Sequence, residues 1–401
     1  MAGILEDDKH IIKKDMKYKL LIVAFDCHNS HMTRFVYNLK QENPEAEIHF
    51  FTDKEKEELP EELTGNVSKI LYFKQDKCQG TVGKIKSIIS LRRQFKELSK
   101  HNSYDIVDIH FPKFYMVVAM GYLRRMSKKV VASPWGSDIL RVNGIKFRVL
   151  ASGVLNKCDY ITTLVDGNLG KKILSYLPNS RDKFYPQAWG SETIDYINHH
   201  LNEVDTIAAK KHFGLSDKYV ITCGYNAFRA QNHEKIIDAI VQVRSQLPDN
   251  LALLFPVSYG TNDKEEYVAE LREKCNNHKL DALFMEDYMS VPDVFMLRMA
   301  TDMFVHTQNT DAGCASLQEY VLCDKKIVHG SWIRYPMLEI YQPLCYHTAS
   351  DFSVLGDVIV ETYRSAPIEF SKDAIRYIQS NGWEEKRKGW NGMFEEIALS
   401  K

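Results

Sequence analysis

The sequence predicts an α/β protein built from two doubly wound units in tandem, and three observations predict it. Short, almost continuously apolar runs rich in β-branched and aromatic residues recur along the chain. The segments between them carry apolar residues at three- and four-residue spacings. The alternation stops near Trp189-Gly190-Ser191 and starts again at Tyr219. A strand with helices on both faces has no polar side to show, so it reads as an unbroken apolar run. Strand and helix in alternation give the βαβ rhythm of a parallel sheet. A chain of 401 residues also exceeds a comfortable single core.

In the first series, Leu20–Phe25, Glu47–Thr52, Lys69–Phe73, Tyr104–Phe111, Lys129–Ser133 and Tyr160–Val165 read as buried parallel strands. Met32–Gln41 and Lys84–Leu98 read as helices between them. A polar, helix-forming stretch from Glu192 to Gly214 follows. The second series has strands at Tyr219–Cys223, Asn250–Val257, Ala282–Glu286, Met303–His306 and Lys326–His329, with helices at Asn232–Leu247 and Lys264–Asn277. The tail from Ser371 to Lys401 is helical and carries Trp383, Trp390 and Phe394. The expected domains are 1–190, joined by a returning helix at 375–401, and 191–374. Open sheets of this kind bind ligands outside the carboxyl ends of their strands, so the loops after each strand are where chemistry is expected.

Bulk properties narrow the function. With 52 Lys and Arg against 53 Asp and Glu, the net charge is −1, and no nucleic-acid partner is expected. Eight cysteines are scattered without a CxxC pair, as in a reducing compartment. The first fifteen residues lack the apolar stretch of a secretory signal, and no window approaches eighteen apolar residues. A cytoplasmic protein is expected.

The strongest local signal follows the strand ending at His306. It runs Thr307-Gln308-Asn309-Thr310-Asp311-Ala312-Gly313-Cys314-Ala315-Ser316-Leu317-Gln318-Glu319-Tyr320. Small residues let a ligand approach the backbone, and a turn opening a helix presents unpaired N–H groups to an anion such as a diphosphate. Asp311 lies before the turn, and Glu319 lies two turns into the helix. A helix cap followed by a solvated carboxylate fits the same residues. The segment resembles the paired-acid element of the family 4 retaining glycosyltransferases, which have the GT-B fold. By that resemblance Asp311 faces the donor sugar, the amides of Gly313, Cys314, Ala315, Ser316 and Leu317 cradle the phosphate, and Glu319 bonds the ribose. The first acid is Asp where the family has Glu, one methylene shorter.

A second signal, Gly224-Tyr225-Asn226-Ala227-Phe228-Arg229-Ala230-Gln231-Asn232, follows the first strand of the second series. It resembles the family loop in which an arginine and a lysine neutralise the departing diphosphate. Here those positions are Tyr225 and Gln231, so Arg229 is the expected catalytic cation beside Asp311, with Gly224 and Asn226 binding donor. A surface charge on a loop is the plainer reading of Arg229. This loop and the run FPVSYGTNDKEEYVAELR also resemble the acetamido-dideoxygalactose transferases of enterobacterial common antigen synthesis.

On the acceptor side, Ser133-Pro134-Trp135-Gly136-Ser137-Asp138 resembles the family's H-G-x-D turn, with Trp135 in place of histidine. His110 ends the strand DIVDIH, and Asp26-Cys27-His28-Asn29-Ser30-His31 replaces the usual glycine-rich first loop. His28, His31, His110, Trp135 and Asp138 are the acceptor-side candidates. The His28/His31 pair has no further ligand at credible spacing, so neither metal nor cofactor is expected beyond the sugar nucleotide. Between Lys84 and Lys100, six basic residues face one acid, beside a stripe of Ile85, Ile88, Leu91, Phe95 and Leu98. Such a helix either covers a sheet with a solvated outer face or lies on an anionic membrane, here the inner face. The function implied is transfer of a sugar, with retention, from a nucleoside-diphosphate sugar to a glycan or lipid-linked acceptor in surface polysaccharide or glycoconjugate synthesis. The alternatives are a sugar-nucleotide epimerase and a non-catalytic glycan-binding or partner subunit.

Overall fold

A computed structural model describes residues 17–25, 29–73 and 80–400. The chain divides into two compact units. One comprises Met1–Pro134, Ile145–Thr162 and Arg387–Lys401, and the other comprises Trp135–Gly144 and Thr163–Lys386.

The first sheet contains β1 (Lys19–Ala24), β2 (Glu47–Thr52), β3 (Lys69–Tyr72), β4 (Tyr104–His110), β5 (Ser127–Ser133), β6 (Tyr160–Thr162) and β7 (Phe184–Tyr185) in the order β3-β2-β1-β4-β5-β6-β7. The second contains β8 (Tyr219–Cys223), β9 (Leu251–Pro256), β10 (Asp281–Met285), β11 (Met303–His306), β12 (Lys326–Gly330) and β13 (His347–Ala349) in the order β10-β9-β8-β11-β12-β13. Neighbouring strands run parallel, as β8 with β9 and β11 with β12. Strand order reverses between β1 and β4 and again between β8 and β11, which makes a ligand crevice at each switch point. The loops after β8 and β11 therefore flank one crevice.

Both faces of the second sheet are covered. Val220, Ala252, Leu254 and Phe304 join one apolar cluster, while Ile221, Leu253, Phe255, Met303 and Val305 join another. Neighbouring residues of a strand point to opposite faces, and both faces here are buried. In the first unit the last helix (Trp383–Leu399) brings Trp390 edge-on to Phe35, at 4.9 Å between ring centroids. The Tyr18 hydroxyl donates to Asn391 at 3.0 Å.

Three local expectations are refined. The polar stretch after Ser191 is two helices, Glu192–His200 and Thr206–His212, because the Asp205 side chain accepts from the Ala208 N–H and starts the second. Strands β7 and β13 have two and three residues, too few for a periodic signal. In the helix Gly80–His101, Leu91 and Phe95 are buried as the stripe requires. Ile85 instead faces outward with Val82 and Ile89. None of the described helices is long and apolar enough to cross a membrane.

Candidate active site

Strand β11 delivers the chain to a turn that opens the helix Ala315–Leu322. Cys314 caps that helix, its sulfur accepting from the Leu317 N–H at 3.3 Å. The N–H groups of Ala315 and Ser316 meet no acceptor among the described residues, as the first amides of a helix have no partner within it. A Cβ at Gly313, two residues before these amides, would meet nothing within 4 Å, so there is open space beside that glycine.

Asp311 stands beside the turn in a cage of donors. Its Oδ2 accepts from the Tyr335 hydroxyl at 3.2 Å and the Tyr225 hydroxyl at 3.4 Å, and His306 Nε2 lies 3.6 Å away. Its Oδ1 accepts from the Gly313 N–H at 3.3 Å. Burial alone would raise its pKa, but His306, the Ala312 N–H and Tyr335 outweigh that and hold the carboxyl below its ordinary value. His306, Asp311 and Cys314 bring ligand-type atoms within 4.8 Å of one another. Tyr335 lies 2.9 Å from His306 Nε2, and burial pushes the Cys314 thiol well up.

Glu319 is buried beneath the same helix. Its Oε1 accepts from the Ser191 hydroxyl at 3.1 Å and its Oε2 from Arg298 Nε at 3.0 Å. Arg298 also donates to the Tyr320 hydroxyl at 3.0 Å and Ser316 Oγ at 3.2 Å, so one guanidinium fixes both the acid and the first helical turn. Sequence reasoning missed Arg298. Its only signal was a lone arginine in the apolar run Phe295–Ala300. Tyr335 gave no signal, since it enters from the loop after β12.

The loop after β8 packs against the acid turn. Gly224 has a φ of +63°, and a Cβ there would lie 2.6 Å from His233 Nε2, so only glycine fits. Asn226 accepts from the Phe228 N–H at 3.1 Å and from Gln231 at 3.2 Å. Tyr225 and Gln231 both donate to Gln308 Oε1, at 2.6 and 2.8 Å, a neutral knot at the two positions where the resembled family has an arginine and a lysine. Arg229 turns away from the knot. It stacks over the Tyr267 ring at 4.4 Å and pairs with Asp263 at 2.6 Å and Glu270 at 2.7 Å. The structure thus brings Gly224, Asn226, Asp311, Gly313–Leu317 and Glu319 into one neighbourhood and points the Arg229 guanidinium elsewhere.

Of the acceptor-side candidates, the Trp135–Asp138 turn belongs to the second unit. Asp138 Oδ1 accepts from the N–H groups of Trp135 at 3.0 Å and Gly136 at 2.7 Å, holding Gly136 at a φ of +136°. A Cβ on Gly136 would come within 3.1 Å of Ala312 Cβ, so this turn abuts the acid turn. Trp135 is half-buried and edge-on to Trp189, at 4.7 Å between centroids. His110 is buried in the first unit, its Nε2 2.9 Å from Asp108 and its ring 4.6 Å from Phe35, so its imidazole is turned into the core. His31 is exposed near the start of the helix Asn29–Glu42, and His28 lies outside the described residues.

Residues 19–164 match the family model described as glycosyl transferase 4-like. No curated protein matches the chain in sequence. Among solved structures, a glycosyltransferase from Rickettsia africae is similar at 12% identity and a TM-score of 0.68, covering 96% of this chain and 100% of that one. Anabaena Alr3699/HepE, solved with UDP and glucose, is similar at 14% identity and 0.63, covering 94% and 98%. The α,α-trehalose 6-phosphate synthase of Burkholderia multivorans is similar at 9% identity and 0.69, covering 96% and 99%. At such identities the likeness is one of fold. The chain as a whole has a two-domain α/β fold of the GT-B type, and its residues 19–164 are similar to the glycosyl transferase 4-like family.

Proposed function

We propose that this chain transfers a sugar from a nucleoside-diphosphate sugar to a glycan or lipid-linked acceptor, with retention at the anomeric carbon. The observation that carries the reading is the turn from Asp311 to Ser316. It opens a helix at a topological switch point, with two N–H groups that meet no acceptor among the described residues and open space beside Gly313. The amides from Gly313 to Leu317 hold the diphosphate. Asp311, kept ionised by its donor cage, orients the donor sugar, and Glu319 presents carboxylate lone pairs to the ribose. In the retaining route the diphosphate oxygen leaves from the face the acceptor enters and takes the acceptor's proton. The protein supplies positioning and charge stabilisation. The UDP bound to the Anabaena neighbour supports including UDP sugars among the donors tested.

Calorimetry with UDP, GDP and dTDP tests the reading. At least one is expected to bind, and at 100 times its Kd it adds about 2.7 kcal/mol to stability. Failure of all three to bind overturns the reading. Glu319→Gln is expected to weaken the nucleotide that binds by roughly tenfold, through loss of a charge-assisted hydrogen bond. An unchanged Kd removes the ribose role. The neutral Tyr225–Gln308–Gln231 knot favours a second reading, a nucleotide-sugar-binding partner subunit. Binding without turnover across a donor panel that includes acetamido-dideoxygalactose nucleotides decides for it.

A lipid-linked acceptor is supported by the first turns of the helix Gly80–His101. Val82, Ile85 and Ile89 are 64%, 54% and 52% exposed, beside Lys84, Lys86, Arg92 and Arg93. Apolar side chains on a basic helix suit an anionic bilayer, where each cation contributes about 1 kcal/mol. Ile85→Asp with Ile89→Asp is expected to reduce co-sedimentation with phosphatidylglycerol vesicles at least tenfold. Undiminished binding removes the membrane contact.

A further inference from the structure

We infer that Arg141 is the residue that places positive charge on the donor's diphosphate, an assignment that rests on the nucleotide-sugar reading above. A departing nucleoside diphosphate carries two or more negative charges, and helix amides offer only partial positive charge against it. Three arginines stand close to the site but have their charge committed. Arg298 is buried and paired with Glu319 at 2.9 Å. Arg334 is paired with Glu339. Arg229 has carboxylates at 2.6 Å (Asp263), 2.7 Å (Glu270) and 3.8 Å (Glu234). One cation among three acids leaves a local charge of −2, which repels a phosphate.

Arg141 differs in having no acid beside it. It is exposed, and no carboxylate pairs with it among the described residues. Its Nε donates to Thr310 Oγ1 at 3.3 Å, and its guanidinium lies 6.0 Å from the centre of the Phe228 ring. Thr310 immediately precedes Asp311, and Phe228 immediately precedes Arg229. The guanidinium thus bonds one donor loop and lies near the other, while its two terminal nitrogens make no hydrogen bond to the described residues.

The backbone beneath it is held in place. Arg141 follows the short helix Ser137–Leu140 and returns its N–H to that helix's carbonyls. Lys172 donates to the carbonyls of Leu140 and Val142, each at 2.9 Å, on either side of Arg141. Planar guanidinium nitrogens match phosphate oxygens in pairs, so a fixed Arg141 with free nitrogens has the geometry for a diphosphate. It restores from a different segment the positive charge that Tyr225 and Gln231 do not carry.

The test compares the native chain with Arg141→Gln and Arg141→Lys, by calorimetry with UDP, GDP and dTDP and with their uncharged nucleosides, at low and high salt. For a nucleotide the native chain binds, Arg141→Gln is expected to weaken the diphosphate about tenfold and to flatten its salt dependence. Nucleoside affinity and melting temperature are expected to stay unchanged, and Arg141→Lys to recover part of the loss. Equal diphosphate binding by the native and Gln chains overturns the assignment. So does a parallel loss of nucleoside binding, which marks a structural role. A native chain that binds none of the three diphosphates overturns the donor reading itself, a result separate from either of these.

Discussion

Arg298→Ala is expected to lower folding stability by about 3–5 kcal/mol, the cost of stranding one member of a buried ion pair. Arg298 is 5% exposed and Glu319 is 4% exposed, so bulk water screens the pair little. Without the guanidinium, the Glu319 carboxylate keeps only the Ser191 hydroxyl, and Ser316 Oγ and the Tyr320 hydroxyl each lose a donor. A charge left in an apolar interior keeps most of its desolvation cost and loses the partner that offset it. Replacing both members, as Arg298→Met with Glu319→Leu, is expected to regain much of the loss, since an apolar pair of similar volume is often neutral. Urea unfolding of the two variants measures the difference. A loss below about 1 kcal/mol for the single variant overturns the buried-pair account. The same substitution unfastens the first turn of the helix Ala315–Leu322, so nucleotide affinity is expected to fall with it.

Stability is also expected to drop by about 4 kcal/mol between pH 7.5 and pH 5, through His233 and His329. Burial pulls both side chains down to a pKa of about 3. At His329 the neighbouring His306 ring adds to the effect, while the carbonyls of Ile333 and His306, at 3.0 and 3.2 Å, work against it and lose to burial. His233 is fully buried, with Tyr267 against its Nδ1 at 3.1 Å. The folded state refuses a proton that the unfolded chain accepts near pH 6.5. This stability is therefore complete above that pH and is lost as the pH falls from there toward 3, at about 1.4 kcal/mol per pH unit for each histidine. Asp311, with its depressed pKa, pushes in the same direction at lower pH. Urea titrations at pH 7.5, 6 and 5 measure the slope, and His233→Gln is expected to halve it. A flat profile overturns the assignment of both histidines as buried and neutral.

Much of the fold was legible because its signals are local. The strands Glu47–Thr52, Tyr219–Cys223 and Met303–His306 and the helix Lys264–Asn277 have the bounds their apolar patterns indicate. The small-residue turn before the helix Ala315–Leu322 was legible for the same reason. Partnerships were not. Arg229 reads on the chain as a cation beside a donor loop, yet the carboxylates that neutralise it lie 34 and 41 positions further on. Ile85 reads as one member of a single apolar stripe with Leu91 and Phe95, yet the helix buries those two and presents Ile85 outward.

The sequence by itself determined two parallel sheets in tandem and the turns after β8 and β11. Both are written in short-range patterns of apolar, small and cap-forming residues that need no distant partner. Only the tertiary structure decided which charges are free to meet a ligand. Arg298 meets Glu319 across 21 positions, and Arg141 meets Thr310 across 169. The state of a charge depends on what surrounds it in space. Folding therefore leaves the arginine expected at the donor loop neutralised, and leaves Arg141, which no motif marked, with open hydrogen-bond donors beside the turn.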